Sequence, residues 1–265
     1  MQSIFQKYHI ELSESELEKF QKFLEIFMET NSQINLSAIR DEAGIIEKHF
    51  VDSIMLAVFY DIQQSPTQYL SPTLPSQGRE QAAASSLLAG ENGVRCLVEK
   101  IRVADLGTGG GFPGIPLAIV APQAEFTLID SVAKKLKCID EFAEKLELDN
   151  IETLVGRAEE IGQNPEYRES FDLVTSRATA YFPTLLEYTL PLLKVGGVFA
   201  AYKLTDKEEF ASMKKALIRL GGKILKIKNY EIDGQERSIV FIEKITKTHA
   251  KYPRKVGIPL QNPIV

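Results

Sequence analysis

Residues 103–114 read Val-Ala-Asp-Leu-Gly-Thr-Gly-Gly-Gly-Phe-Pro-Gly, and sixteen residues after Gly114 the run Phe126-Thr-Leu-Ile ends in Asp130. The pattern is that of a strand, a tight glycine turn, a helix and a second strand tipped by a carboxylate. Glycines let backbone N–H groups approach a bound molecule without obstruction by Cβ atoms. A carboxylate at the tip of the second strand can accept both hydroxyls of a ribose. The chemistry this spacing serves is the holding of an adenosine-containing cofactor.

Gly109 to Gly114 also satisfies G-x-G-x-x-G, the dinucleotide fingerprint. Three features argue against a nicotinamide cofactor. Asp105 stands two positions before the first glycine, where an acid can hold a methionine amino group but would repel a pyrophosphate. Pro113 and Pro116 occupy positions where a pyrophosphate-binding helix offers free N–H donors. The motif also begins only after a long N-terminal segment. D-x-G-x-G followed by a strand-end acid is the pattern of S-adenosylmethionine-dependent methyltransferases. A glycine turn that binds nothing is the weaker reading, because consecutive glycines cost conformational entropy on folding.

These residues need a scaffold, and the chain supplies strand and helix in alternation from residue 101. Strands are expected at 101–106, 125–130, 151–155, 171–175, 197–203, 223–231 and 238–245. Helices are expected at 114–121, 132–147, 181–193 and 206–220. Parallel strands joined by helices give a doubly wound α/β sheet. Asp233-Gly-Gln-Glu-Arg237 is too short for a helical crossover, so the last two strands form an antiparallel hairpin. The expected fold is that of a class I S-adenosylmethionine-dependent methyltransferase, a seven-stranded mostly parallel sheet with an N-terminal helical extension. In that extension, Ser13 and Glu16 make a capping-box start for a helix through Met28. A second helix is expected over about 41–60, with His49 and Asp52 on one face. That pair either anchors the helix or faces the cofactor site. The division is helices at 1–62, a flexible insertion and connector at 63–100 with a helical piece near 80–88, a catalytic domain at 101–247 and a basic arm at 248–265.

The 265 residues suffice for one such domain with an extension, and the 44% apolar content supplies a core. No apolar run reaches the length of a membrane span, no signal segment is visible, and Cys96 and Cys138 make no disulfide framework. A cytoplasmic monomeric enzyme is the expectation, with Cys138 a small core residue. Net charge is −5. Lys244, Lys247, Lys251, Arg254 and Lys255 put a local +5 after residue 243, so the rest of the chain carries −10. That asymmetry predicts a basic arm on an acidic body, extended past Tyr252 because Pro253 and Pro259 oppose helix there.

Asp105-Leu-Gly-Thr-Gly-Gly-Gly-Phe-Pro-Gly-Ile-Pro-Leu-Ala-Ile119 resembles the signature of the small-subunit (16S) ribosomal RNA guanine-N7 methyltransferases, formerly called glucose-inhibited division protein B. Asn35-Leu-Ser-Ala-Ile39, His49-Phe-Val-Asp-Ser53, Thr127-Leu-Ile-Asp-Ser131, Gly156-Arg-Ala-Glu159, Ser176-Arg-Ala178 and Lys251-Tyr-Pro-Arg254 match it too, in order. The resemblance implies methyl transfer from S-adenosylmethionine to guanine N7 in 16S rRNA, within the small subunit or its precursor. Cofactor contacts are then expected at Asp105, Gly107, Phe112, Asp130, Ala158, Glu159 and Arg177. Ala158 and Glu159 meet the adenine, Phe112 covers an apolar side, and Arg177 stands beside the transferred methyl. RNA contacts are expected at Lys203, Lys251, Arg254 and Lys255, with no metal. Asn164-Pro-Glu-Tyr167 is similar to an amino-group methyltransferase motif but precedes the fourth strand, so it is assigned to a loop. Guanine N7 has a free lone pair and no proton to lose, so no general base is expected. Competing readings are a methyltransferase of small molecules and a non-catalytic cofactor-binding module.

Overall fold

A computed structural model describes residues 1–62, 100–177, 180–204 and 212–265. The expected insertion with its piece near 80–88, the first part of the helix expected at 206–220, and Ala178 lie outside the described residues.

The N-terminal extension holds α1 (Gln2–Lys7), α2 (Glu14–Gln33), α3 (Glu42–Ile45), a π-helical turn (Ile46–Val51) and α4 (Asp52–Phe59). Ser13 and Glu16 close the expected capping box at the start of α2. The helix expected at 41–60 is present, but its centre is wound as the π turn, which carries His49.

Next come β1 (Arg102–Leu106), α5 (Gly114–Val120), β2 (Glu125–Asp130), α6 (Ala133–Lys145), β3 (Ile151–Val155), α7 (Ala158–Ile161), β4 (Phe171–Ser176), α8 (Phe182–Thr189) and β5 (Leu193–Leu204). α9 (Lys214–Leu220), β6 (Gly222–Ile232), β7 (Gln235–Lys244) and α10 (Ile258–Gln261) complete the described elements. The sheet order is β3-β2-β1-β4-β5-β7-β6. β1 to β5 pair in parallel, and β7 runs antiparallel to both β5 and β6. The order reverses between β1 and β4, which opens a crevice at the carboxyl ends of those strands. This is the expected seven-stranded, mostly parallel sheet ending in an antiparallel hairpin.

Helices cover both faces, and each face has its own core. On one face Phe5, Phe20, Phe23, Phe27 and Phe50 of the N-terminal helices pack with Phe112 and Phe142. On the other, Phe171, Phe182 and Phe199 pack with Leu185, Leu186 and Leu217. Cys138 is buried on α6, as its place in a helical pattern leads one to expect. Residues 164–167 form turns, as expected for a loop.

The C-terminal segment departs from expectation. It folds back on the domain instead of extending as an arm. Arg168 donates to the carbonyls of Gly162, Tyr252 and Thr248 at 2.7–2.8 Å. Gln163 donates to the carbonyls of Ala250 and Pro253, and the Thr184 hydroxyl to that of Pro259. A segment whose carbonyls are met by side chains of the body has its polar backbone satisfied without water. α10 forms despite Pro259, because proline in the first turn forfeits no intrahelical hydrogen bond.

Candidate active site

Local backbone chemistry builds the glycine turn. Gly107, Gly109 and Gly111 all have positive φ, a region costly for residues with a Cβ. The N–H groups of Gly107 and Thr108 donate to the Ile129 carbonyl at 2.8 and 3.1 Å, which pins the turn to the end of β2. A Cβ on Gly114 would stand 2.7 Å from Leu128 and 2.9 Å from the Asp105 carboxylate, so α5 closes on the sheet only with glycine there.

A cavity of about 430 Å³ opens above the carboxyl ends of β1, β2, β3 and β4, a volume typical of small-molecule sites. Gly107, Asp130, Ala158 and Glu159 line it, together with Leu106, Ile129, Ser176 and Leu185. The structure therefore brings four of the seven expected cofactor residues around one space. Asp130 accepts the Gly109 N–H at 3.0 Å through Oδ2 and the Val132 N–H at 2.9 Å through Oδ1. Each oxygen keeps a lone pair for an incoming hydroxyl. Glu159 is buried and accepts from the Gly257 N–H at 2.9 Å and the Tyr188 hydroxyl at 3.2 Å.

The other three expected residues lie outside the lining. Asp105 is fully buried behind the turn, where one oxygen accepts the Gly114 N–H at 2.9 Å. Its other oxygen and the Thr108 hydroxyl are buried without a well-formed partner. Burial pushes the Asp105 pKa up to about 6, opposed by Thr108, Gly114 and the charge of Arg177. Phe112 turns away from the cavity and stacks on His49, ring centres 4.5 Å apart, beneath Phe27. Arg177 turns the same way. It meets Asp52 at 3.1 Å, His49 Nδ1 at 3.1 Å and the Lys48 carbonyl at 3.2 Å. The cause is Asp52, a carboxylate buried on α4 that requires charged partners; Arg237 and Tyr230 complete its shell at 2.9 and 2.8 Å. The His49–Asp52 pair thus anchors the N-terminal helices to the sheet. Burial, with Arg177 and Arg237 nearby, pushes the His49 pKa down to about 3, so its ring is neutral.

Two of the four expected RNA cations are spent internally. Arg254 grips the wholly buried Glu187, and Lys203 donates to the Ala180 carbonyl at 2.8 Å and sits over the Phe182 ring. Lys251 and Lys255 are exposed. Lys244, another member of the basic run, is buried against Glu169.

The cavity has walls that the sequence did not single out: Tyr188 of α8, and Val256, Gly257 and Leu260 of the C-terminal segment. A signal existed, in a glycine set among apolar residues spaced two apart. The donor set suits S-adenosylmethionine. A strand-tip carboxylate has lone pairs to spare, and a glycine turn borders the space beside it. Among the described residues no group of three or more His, Cys, Asp or Glu is placed to hold a metal ion, and no helix is long and apolar enough to cross a membrane.

Residues 88–240 match the family described as rRNA small subunit methyltransferase G. A ribosomal RNA small subunit methyltransferase G of Desulfitobacterium hafniense is 39% identical over 98% of this chain and 94% of its own. Proteins of the same name from Acetivibrio thermocellus and Lactococcus lactis are 37% and 35% identical, covering 97% and 99% of this chain and 92% and 97% of theirs.

Proposed function

Because the chain belongs to the rRNA small subunit methyltransferase G family, we propose that it transfers a methyl group from S-adenosylmethionine to N7 of a guanine in the 16S rRNA of the small ribosomal subunit. The observation that carries the reading is the cavity at the sheet's reversal point, lined by Gly107, Asp130, Ala158 and Glu159. In this reading Asp130 accepts the ribose hydroxyls, the backbone at Gly107 lies against the cofactor, and Ala158 and Glu159 border the adenine. Asp105 stiffens the turn from behind. Phe112 and Arg177 tie that turn and the end of β4 to the N-terminal helices, which makes them positioning residues.

Bound S-adenosylmethionine supplies an electrophilic methyl on a positively charged sulfur. The chain contributes placement and exclusion of water. Leu106, Ile129 and Leu185 give the cavity apolar walls, which would hold the cofactor and keep water from the transferable methyl. Guanine N7 needs alignment more than activation. The lining carboxylates of Asp130 and Glu159 already accept backbone N–H bonds and are not cast as bases. Ser176 and Ala180 mark the side of the cavity for the incoming base, and Lys251 and Lys255 are the cations for RNA phosphates. The enzyme acts as a cytoplasmic monomer.

Incubating the protein with labelled S-adenosylmethionine and small subunits lacking the modification, then mapping the rRNA by mass spectrometry, tests this. The expected product is 7-methylguanine at a single position. Label appearing only on free nucleotides or metabolites, with subunits unmodified, would replace this function by small-molecule methylation.

A further inference from the structure

Val256, Gly257 and Leu260 form one wall of the cavity. Three sets of contacts hold them there. Arg254 meets Glu187 of α8 through Nε at 2.8 Å and Nη2 at 2.6 Å, and its own backbone N–H donates to the same carboxylate at 2.8 Å. The Gly257 N–H donates to Glu159, with Gly257 at a φ of +85° that only glycine adopts without strain. The Thr184 hydroxyl donates to the Pro259 carbonyl. Glu187 is wholly buried, and a buried carboxylate deprived of its cation is strongly unfavourable. Arg254 is therefore committed to shaping this segment. Val256 and Leu260 are nevertheless 49% and 63% exposed. Large apolar side chains left open beside a cavity become favourable contacts once a ligand covers them.

We propose that residues 254–260 belong to the cofactor site, with Val256 and Leu260 packing on the adenine side of S-adenosylmethionine and the Arg254–Glu187 pair positioning them. The side follows from Glu159: it stands just after β3, one strand beyond the ribose-binding Asp130, and it holds Gly257. The inference rests on the cofactor named above and changes the meaning of the basic segment. Its inner face serves the cofactor, and only its outer lysines are free for RNA.

Leu260→Ser and Val256→Ser in the full chain remove apolar wall at exposed positions that carry little of the fold. Calorimetry gives their affinity for S-adenosylmethionine, and steady-state kinetics give KM for small subunits and its salt dependence. Each substitution should weaken cofactor binding about fivefold, the effect of leaving roughly 40 Å² of apolar surface uncovered. Subunit KM, the salt slope and the melting temperature without ligand should stay unchanged. Arg254→Gln should weaken the cofactor further, with Arg254→Lys between the two. Unchanged cofactor affinity in both serine variants would overturn the proposal. So would a raised subunit KM with a shallower salt dependence, which would make the segment an RNA contact. Wild-type protein that failed to bind S-adenosylmethionine would overturn the proposed function itself, a result separable from both.

Discussion

Replacing Asp130 by alanine removes a carboxylate that serves two masters. In the protein alone it accepts the N–H groups of Gly109 and Val132 at 3.0 and 2.9 Å. About four lone-pair positions exist on a carboxylate, so two remain for ribose hydroxyls. Hydrogen bonds to a charged group contribute about 1.5–3 kcal/mol each. Two at the lower figure make about 3 kcal/mol, or about 150-fold in Kd. Asp130 is half-buried, so water recovers part of that loss. Halving the figure leaves about 1.5 kcal/mol, or about tenfold. The variant should therefore bind S-adenosylmethionine between about 10- and 150-fold more weakly. The turn loses two acceptors, which lowers stability by about 1–2 kcal/mol and the melting temperature by roughly 2–8 °C. Calorimetry and a thermal melt read the two effects separately. A fallen melting temperature with Kd within about threefold of wild type would show that the carboxylate serves only its own turn, and the ribose assignment would be wrong.

Asp52→Asn should destabilise the protein by about 3 kcal/mol in denaturant unfolding, because Arg177 and Arg237 lose their shared counter-charge; a loss under about 1 kcal/mol would show that the pairs contribute little. His49 supplies a pH dependence whose sign is fixed by its depressed pKa. Below the ordinary 6.5 the unfolded chain takes a proton that the folded chain refuses until about pH 3. Its stabilising contribution is thus present above pH 6.5 and is lost as the pH falls, by about 2 kcal/mol at pH 5. His49→Gln should flatten the unfolding free energy between pH 7 and 5 by about that amount, and parallel wild-type and variant curves would contradict it. The methyl-transfer step should vary less than about threefold between about pH 6.5 and 8.5, since no proton leaves the nucleophile. A single-turnover rate tracking one ionisation across that window would mean that a base acts.

What was legible in the sequence follows the range of the physics. The capping box at Ser13, the strands and the turn at 107–111 are set by neighbours a few residues apart, and their patterns read directly. Gly107, Asp130, Ala158 and Glu159 share one cavity because each ends a parallel strand or lies within a few residues after one, a placement that topology dictates. Phe112 and Arg177 also sit at strand or turn ends, yet their side chains leave the cavity. Their direction is set by Phe27, His49 and Asp52, tens of residues earlier in the chain, and no local pattern announces that attraction. The basic C-terminal run misled for the same reason. It contains no acid, but Glu169 and Glu187 of the body pair with its Lys244 and Arg254. Charge counted along a segment gives no information about partners that arrive from elsewhere.

The clasp around Asp52 also sets an order of assembly. The N-terminal helices leave the ribosome before the sheet does, carrying Phe5, Phe20, Phe23, Phe27 and Phe50 on one face. Phe112 and Phe142 follow only after the whole 63–99 stretch has been made. Arg177 comes 125 residues after Asp52, and Arg237 comes 185 after it. Until those arginines arrive, the growing chain holds an uncovered aromatic face and a carboxylate without its cations. Contacts this distant in sequence form slowly, and exposed apolar surface in the interval invites association between chains. The helices that tie the glycine turn in the finished enzyme are the segment most in need of protection during its synthesis.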